Sequence, residues 1–550
     1  MSTLDWIVLG LFGVGLIGIV IWVISKKDKD TADYFLAGRD ATWIAIGASI
    51  FASNIGSEHL VGLAGAGAES GMAMAHWEMH GWMILMLGWL FVPFYSRSKV
   101  FTMPEFLERR YNTQARSFLS IISLVSYILT KVAVTVYAGG VVFKDVFDIE
   151  YVTFFGYDID FFWISAIGLV VLTGIYTTFG GMKAVLYTSV LQTPILLIGS
   201  IAVLVLGLIK VGGWGEMMEI CQANITVHGD SMTSLMRSPK DPDFPWTGVI
   251  LGSAIIGFWY WCTDQFIVQR VLSGRDMKQA RRGTIFGAYL KLTPVFIFLI
   301  PGMIAYALNQ KGLLSLSSND AAFSTMVKEL LPIGFKGVVI GGILAALMSS
   351  LASLFNSSAM LFTIDFYKKY KPNENEKHYV TVGRIATVAI VLLGILWIPV
   401  MKGLGKVLYE YLQDVQSLLA PGIAAVFLLG ILSKKTTPAA GIWGLVIGFT
   451  LGMFRLALNV MGIEDGVLYD LVLSHNWLHY EIYLFIIVII SMIVISYFTK
   501  RKDPELITGL TMGSATAAQR AETRESYNYW DVINSIIIIA IILVFYAYFW

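Results

Sequence analysis

The 550-residue sequence is poor in charge and cysteine, and each shortage excludes something. Only 14% of its residues are charged, against about a quarter in soluble domains. With 39 Lys and Arg against 38 Asp and Glu, no basic stripe remains for nucleic acid once the lysines and arginines flanking apolar segments are assigned. The two cysteines, Cys221 in a polar loop and Cys262 in an apolar run, form neither a disulfide framework nor a paired metal motif. What the chain has instead is apolar surface: 56% hydrophobic residues and a mean hydropathy of +0.70. Such a composition belongs to an all-α polytopic membrane protein, because a chain crossing lipid must satisfy its backbone internally.

At about 20 apolar residues per crossing, the sequence predicts fourteen spans. They lie near 4–24, 42–67, 71–95, 118–142, 161–179, 185–208, 246–271, 284–308, 337–367, 380–401, 408–432, 439–461, 480–498 and 532–550. Clusters of Lys and Arg fall in alternate loops, at Lys26, Arg97 to Arg110, Arg270 to Arg282, Lys368, Lys434 and Lys500. Placing these loops in the cytoplasm leaves both termini outside. The amino terminus carries Asp5 in place of a basic region, and no small-residue cleavage site follows its apolar run, so the first span is expected to be retained. The Ser, Thr, Ala and Arg mixture of 500–529 reads as a mobile cytoplasmic linker.

Polar residues inside spans are costly, by about 2.5 to 3.5 kcal/mol each for a charge, and are therefore candidates for function. FASNIGSEHLVGLAG, residues 51–65, places Asn54, Glu58 and His59 among glycines in mid-span, and Glu78 follows early in the next. GFWYWCTDQFIVQR supplies Tyr260, Trp261 and Asp264, while Lys291 stands alone in the span after it. EYLQDVQSLLAPG crowds Gln413, Asp414 and Gln416 ahead of Pro421. A fifth group is uncharged: Ala346, Ser349, Ser350 and Ser353 form one stripe at helical spacing. That stripe reads equally as a close-packing face or as hydroxyls which, with the Ala346 carbonyl, meet carbonyls freed at a break near Ala52 to Ile55 and cage a hard cation. For the others the bland readings are an aromatic interface belt, a structural ion pair between Lys291 and Asp264 or Glu78, and a solvated vestibule. Taken together, Asn, His, Gln, Glu and Lys beside Trp and Tyr suit a neutral polyhydroxylated ring, whose hydroxyls need donors and acceptors and whose C–H face stacks on an aromatic plane. An enzyme is disfavoured, since His76, Glu78 and His80 are two apart and so cannot share one face of a continuous helix.

Six stretches in order, FASNIGSEHLVGLAG, YTTFGGMKAVLYTSVLQT, WYWCTDQFIVQR, AYLKLTP, MSSLASLFNSS and LAPGIAAVFLLG, resemble the sodium/glucose cotransporter family over nearly the whole chain. The resemblance implies a LeuT-type core of two inverted five-helix repeats, at 42–210 and 246–435. One helix precedes them in 1–41, an external loop of 211–245 joins them, and three helices follow in 436–550. It implies sugar binding at Asn54, His59, Glu78, Tyr260, Trp261, Lys291 and Gln413, with Tyr260 also as the inner gate. A sodium site is implied at the carbonyls of Ala52, Ile55 and Ala346 and the hydroxyls of Ser349 and Ser350. The expected activity is sodium-coupled symport of a hexose such as glucose or galactose across the cell membrane, a single chain sufficing without excluding oligomers. Ser189 stands where many members carry Asp, and Ala352 where two-sodium members carry Thr, which implies one sodium per sugar. Glu58 beside His59 is similar to the myo-inositol branch, so a polyol substrate is the alternative, ahead of a sugar-gated sensor or channel.

Overall fold

The structure, a computed structural model, describes residues 1–26, 28–56, 58–154, 156–225, 229–404 and 408–550, excepting the side chains of 400–414. Among the described residues eleven helices are long and apolar enough to cross a membrane. The difference from fourteen arises at three places. Residues 42–67 and 246–271 are not continuous helices, and Phe161–Val211 runs on as 51 helical residues with Gly181, at φ 51° and ψ −148°, kinked in its middle. Since 51 residues at 1.5 Å would extend about 76 Å, the kink divides it into two helices.

Burial sorts the spans. Phe335–Tyr370 is 89% buried over its apolar window and Met277–Gln310 is 78% buried, whereas Thr3–Ser25 is 17% and Trp477–Phe498 and Tyr529–Phe549 are each 22% buried. The well-buried spans carry serines, glycines and single charges, and the outer ones are almost purely aliphatic, as expected where lipid is the solvent on one side only. The outermost helix is still anchored by a polar contact: Asp5 completes a capping box with Ser2 and accepts from the backbone N–H groups of Gly334 (2.8 Å) and Gly337 (3.1 Å), where the Phe335–Met360 helix begins. A carboxylate placed on a helix N-terminus satisfies donors that have no partner within the helix.

Two features depart from the expectation. A short antiparallel hairpin, Tyr151–Phe154 with Tyr157–Asp160, interrupts the otherwise helical chain between two spans. The 500–529 segment is no free linker: it contains the helix Ala517–Glu525, opened by a capping box of Thr516 and Gln519. Arg97 donates to the Gln519 carbonyl (2.7 Å) and to the Thr523 hydroxyl, Arg281 donates to the Ser526 hydroxyl, and Lys502 donates to the Arg109 carbonyl (2.7 Å). Arg97 and Arg281 thus find carbonyl and hydroxyl acceptors in the segment, Lys502 reaches out of it, and together they hold it against the helices.

Gly181 tests the kink. A Cβ there would overlap the Tyr34 carbonyl at a backbone angle that L-residues rarely adopt. Gly181→Ala is expected to lower the thermal unfolding midpoint by the equivalent of about 2 kcal/mol or more. Gly168→Ala, in the same helix with open space around it, should leave the midpoint unchanged or raise it; equal midpoints for the two variants would contradict the kink.

Candidate functional site

The two interrupted spans make the site. The first runs as Trp43–Asn54, passes into extended backbone at Ile55 (φ −77°, ψ 111°), and resumes as a wide π-helical turn, Glu58–Leu63, before Ala64–Glu69. The second runs as Trp246–Phe258, widens to a π turn over Trp259–Thr263, becomes extended at Asp264 and resumes as Gln265–Leu272. Extended backbone at membrane depth is tolerated only where protein or a cavity satisfies it. At the second interruption protein does so. Asp264 accepts from Phe266 N–H (3.2 Å), from Lys131 Nζ (2.7 Å) and from the Tyr127 hydroxyl, and the Lys131 ammonium lies 4.8 Å from the Tyr260 ring centre and 4.9 Å from that of Phe266. Asp264 is thus the clasp of that break, paired with Lys131 and not with Lys291.

At the same level a cavity of about 70 Å³ is lined by Asn54, His59, Glu78, Tyr260, Trp261 and Lys291, six of the seven positions that the family resemblance implies for the sugar. The seventh, Gln413, lies outside the residues whose side chains are described, as does Asp414. Glu78 is central and buried. Its Oε2 accepts from Lys291 Nζ at 2.6 Å, and its Oε1 lies 3.4 Å from His59 Nε2, which is itself 3.3 Å from Asn54 Nδ2. Lys291 also lies 5.3 Å from the Trp261 ring centre, and Trp261 meets Tyr260 edge-on with ring centres 4.9 Å apart. Two polar atoms of the lining, His59 Nδ1 and Trp77 Nε1, are buried with no hydrogen-bond partner among the described residues. A buried unpaired group of that kind calls for a ligand or water.

Glu58, Trp77, His80 and Gln416 line the same cavity. Trp77 and His80 escape the sequence reading because it takes 71–95 as one helix. In the structure that stretch breaks into Gly71–Met74, Ala75–Glu78 and a helix starting at Gly81, so Glu78 and His80 both reach the cavity although two apart. His76 turns away, to the Tyr546 hydroxyl and the Leu235 carbonyl. Gly257 lets His80 come close, since a Cβ there would lie 2.7 Å from its ring.

Behind the first interruption, the Phe335–Met360 helix packs along Trp43–Asn54, joined to it by the 2.7 Å contact between the Ser53 and Ser353 hydroxyls. Ala52, Ile55, Ala346, Ser349 and Ser350 are all buried in this region. Ser349 lies 3.3 Å from the Ser189 hydroxyl, and Ser350 makes no hydrogen bond to the described residues. Ser49, one turn before Ala52, is a further buried hydroxyl without a partner. The candidate oxygens are all neutral: the Ala52 and Ile55 carbonyls at the end of one helix, where the last carbonyls lack intrahelical donors, and the Ala346 carbonyl with the Ser349 and Ser350 hydroxyls inside another; such oxygens suit a hard cation.

The model of the sodium:solute symporter family matches residues 34–448. The chain is similar to the human sodium/myo-inositol cotransporter 2 (35% identity over 539 residues, 92% of this chain and 78% of that protein). It is equally similar to the pig sodium/glucose cotransporter 1 (36% over 535 residues, 90% and 79%). Among solved structures, a Na⁺-coupled sialic acid symporter in a substrate-bound outward-open state superposes with a TM-score of 0.74 at 20% identity, covering 91% of this chain and 99% of that one. That likeness establishes the LeuT-type fold. With the family model spanning most of its length and relatives this similar, the chain belongs to the sodium:solute symporter family and is a sodium-coupled membrane transporter, not an enzyme.

Proposed function

We propose that this transporter carries a neutral polyhydroxylated ring, a hexose such as glucose or galactose, into the cell with one sodium ion. The observation that carries this reading is the balance of charge in the cavity: the Glu78 carboxylate is matched by Lys291, while His59 and Asn54 add neutral hydrogen-bonding edges and Trp261 an aromatic face. A pocket whose ammonium is already neutralised offers no surplus for an anionic solute. The unpaired His59 Nδ1 and Trp77 Nε1 supply an acceptor or donor and a donor to ring hydroxyls. At about 10–15 Å³ per water position, 70 Å³ holds roughly five to seven waters, the scale of one small polyol ring.

The coupling we infer is thermodynamic linkage. Sodium held by the Ala52, Ile55 and Ala346 carbonyls and the Ser349 and Ser350 hydroxyls joins the first broken helix to its neighbour and favours the outward-open arrangement. Asn54 and His59, on either side of the same interruption, then meet a better-formed site, and the solute favours sodium by the same factor. Tyr260 closes the inner side, so its movement with the second broken helix opens the path inward while a bundle rocks against the remaining helices. With Ser189 and Ala352 in place of side chains that would build a second site, one charge moves per solute. Both termini lie outside on this reading, because the arginines that hold 500–529 mark the cytoplasmic face. myo-Inositol is the second reading. It is favoured by Glu58 on the cavity wall, an additional acceptor for a ring in which every carbon bears a hydroxyl.

Proteoliposomes under an inward sodium gradient, offered glucose, galactose and myo-inositol, decide between the two. We expect a hexose to be accumulated best with a charge-to-solute ratio near one; preferential myo-inositol uptake would install the second reading, and a ratio near two would remove the single-site stoichiometry.

Ser350→Ala removes one hydroxyl from the proposed cage and is expected to weaken apparent sodium affinity roughly tenfold while solute still quenches Trp261 at high concentration. Unchanged sodium dependence would refute the cage. Glu78→Gln leaves Lys291 buried without its counter-charge, so the variant should lose about 3 to 5 kcal/mol of stability and at least nine-tenths of uptake. Adding Lys291→Met should restore the thermal midpoint without restoring uptake; full uptake by Glu78→Gln alone would remove Glu78 from the site.

A further inference from the structure

On the outer surface of the protein, a second and largely apolar cavity of about 550 Å³ opens between the Gly71–Ser98 span and the last helix, Tyr529–Phe549. Trp82 and Trp89 form one wall, and Tyr527, Val532, Ile536 and Ile539 the other. The walls are joined by a hydrogen bond from Trp89 Nε1 to the Ser535 hydroxyl at 3.0 Å. Ile536 is 61% exposed, so this groove faces the surroundings of the protein and not its interior. From the start of the last helix at Tyr529 to Ile539 is ten residues, about 15 Å along the axis, or half of a hydrocarbon core of about 30 Å. The groove is therefore as deep as one leaflet and begins at the membrane surface.

The surface end has an unusual neighbour. Arg281 is fully buried, with its guanidinium carbon 4.8 Å from the Trp89 ring centre and 5.1 Å from that of Tyr527, two of the rings that line the groove. Its Nε donates to the Gly88 carbonyl (3.3 Å) and its Nη1 to Ser526, but its Nη2 has no partner among the described residues, and no carboxylate pairs with it there. The nearby Asp531 is taken by Arg282 at 3.0 Å. A buried cation without a counter-charge is costly, and an anion at the mouth of the groove would offset that cost.

We propose that this groove is a binding site for one anionic glycerophospholipid, an acyl chain lying between Trp82 and Ile536 and the phosphate seated at the Tyr527 end beside Arg281. The occupant is a lipid because the groove opens onto the bilayer and spans one leaflet; it is anionic because the unmatched guanidinium of Arg281, buried behind the Trp89 and Tyr527 rings of the wall, is positive. The site lies apart from the solute cavity, and its test does not depend on which solute is carried.

The test is native mass spectrometry of the full-length protein in detergent, incubated with equal amounts of phosphatidylglycerol and phosphatidylcholine of identical chains. The unaltered protein should retain one phosphatidylglycerol about tenfold over phosphatidylcholine, the magnitude of a charge–charge attraction acting through the intervening aromatic rings. Ile536→Trp fills the groove from its lipid-facing side and should abolish retention while leaving sodium-driven uptake measurable. Arg281→Gln should retain both lipids equally. Equal retention of the two lipids by the unaltered protein overturns the assignment without any variant, and so does undiminished retention by Ile536→Trp.

Discussion

A backbone that leaves helical geometry inside a bilayer has no water to fall back on, and the rest of this structure depends on that constraint. Each place where a helix stops must be rebuilt from side chains or used to hold something. At Asp264 the rebuilding is complete: a carboxylate caps the following helix, a lysine neutralises it, a tyrosine shares its oxygen, and aromatic rings enclose the lysine. At Ile55 it is not. The Gly56 carbonyl takes the His59 and Leu60 N–H groups, but among the described residues no donor from beyond the helix reaches the Ala52 or Ile55 carbonyl. One interruption is closed by protein and the other leaves oxygens to spare, which is the ground for proposing the sodium at the first broken helix and not at the second.

The same constraint explains how much could be read from the sequence. Charges inside apolar runs are so costly that they have few places to be except with one another; Asn54, His59, Glu78, Tyr260, Trp261 and Lys291, spread over 238 positions, therefore converge on one cavity. Pairing within that set was less legible. Lys291 could serve Glu78 or Asp264, and nothing in the sequence linked Asp264 to Lys131, 133 positions away. Trp77 and His80 were missed for a different reason, because helical periodicity fails where the helix itself is broken into turns. The docked helix Ala517–Glu525 did leave a signal, the Thr516-x-x-Gln519 capping box, which the polar composition around it obscures.

Much of the charge in the interior comes in neutral pairs: Lys291 with Glu78, Lys131 with Asp264, and Arg116 with Asp365, the last also held by Thr102 and Ser120. Arg270, like Arg281, departs from that pattern. It is fully buried and reaches only the Ser53 hydroxyl, through its Nε, with both terminal nitrogens lacking partners among the described residues. Ser53 in turn touches Ser353, so a positive charge lies one residue from a proposed sodium ligand. Pairs tie helices of different parts of the chain together, whereas an unmatched guanidinium disfavours any cation lodged near it.

The Glu78 carboxylate already uses one oxygen on Lys291 and brings the other to His59. A hydroxyl of the proposed solute that approaches Glu78 finds both of its oxygens engaged; it must share with, or displace, partners that the protein supplies to that carboxylate. Part of each new hydrogen bond is therefore spent replacing an old one, which caps the affinity that the pocket can reach. For a carrier this is an advantage, since a solute bound no more tightly than its own stand-ins can leave on the far side, and every turnover ends with the ion pair ready to close behind it.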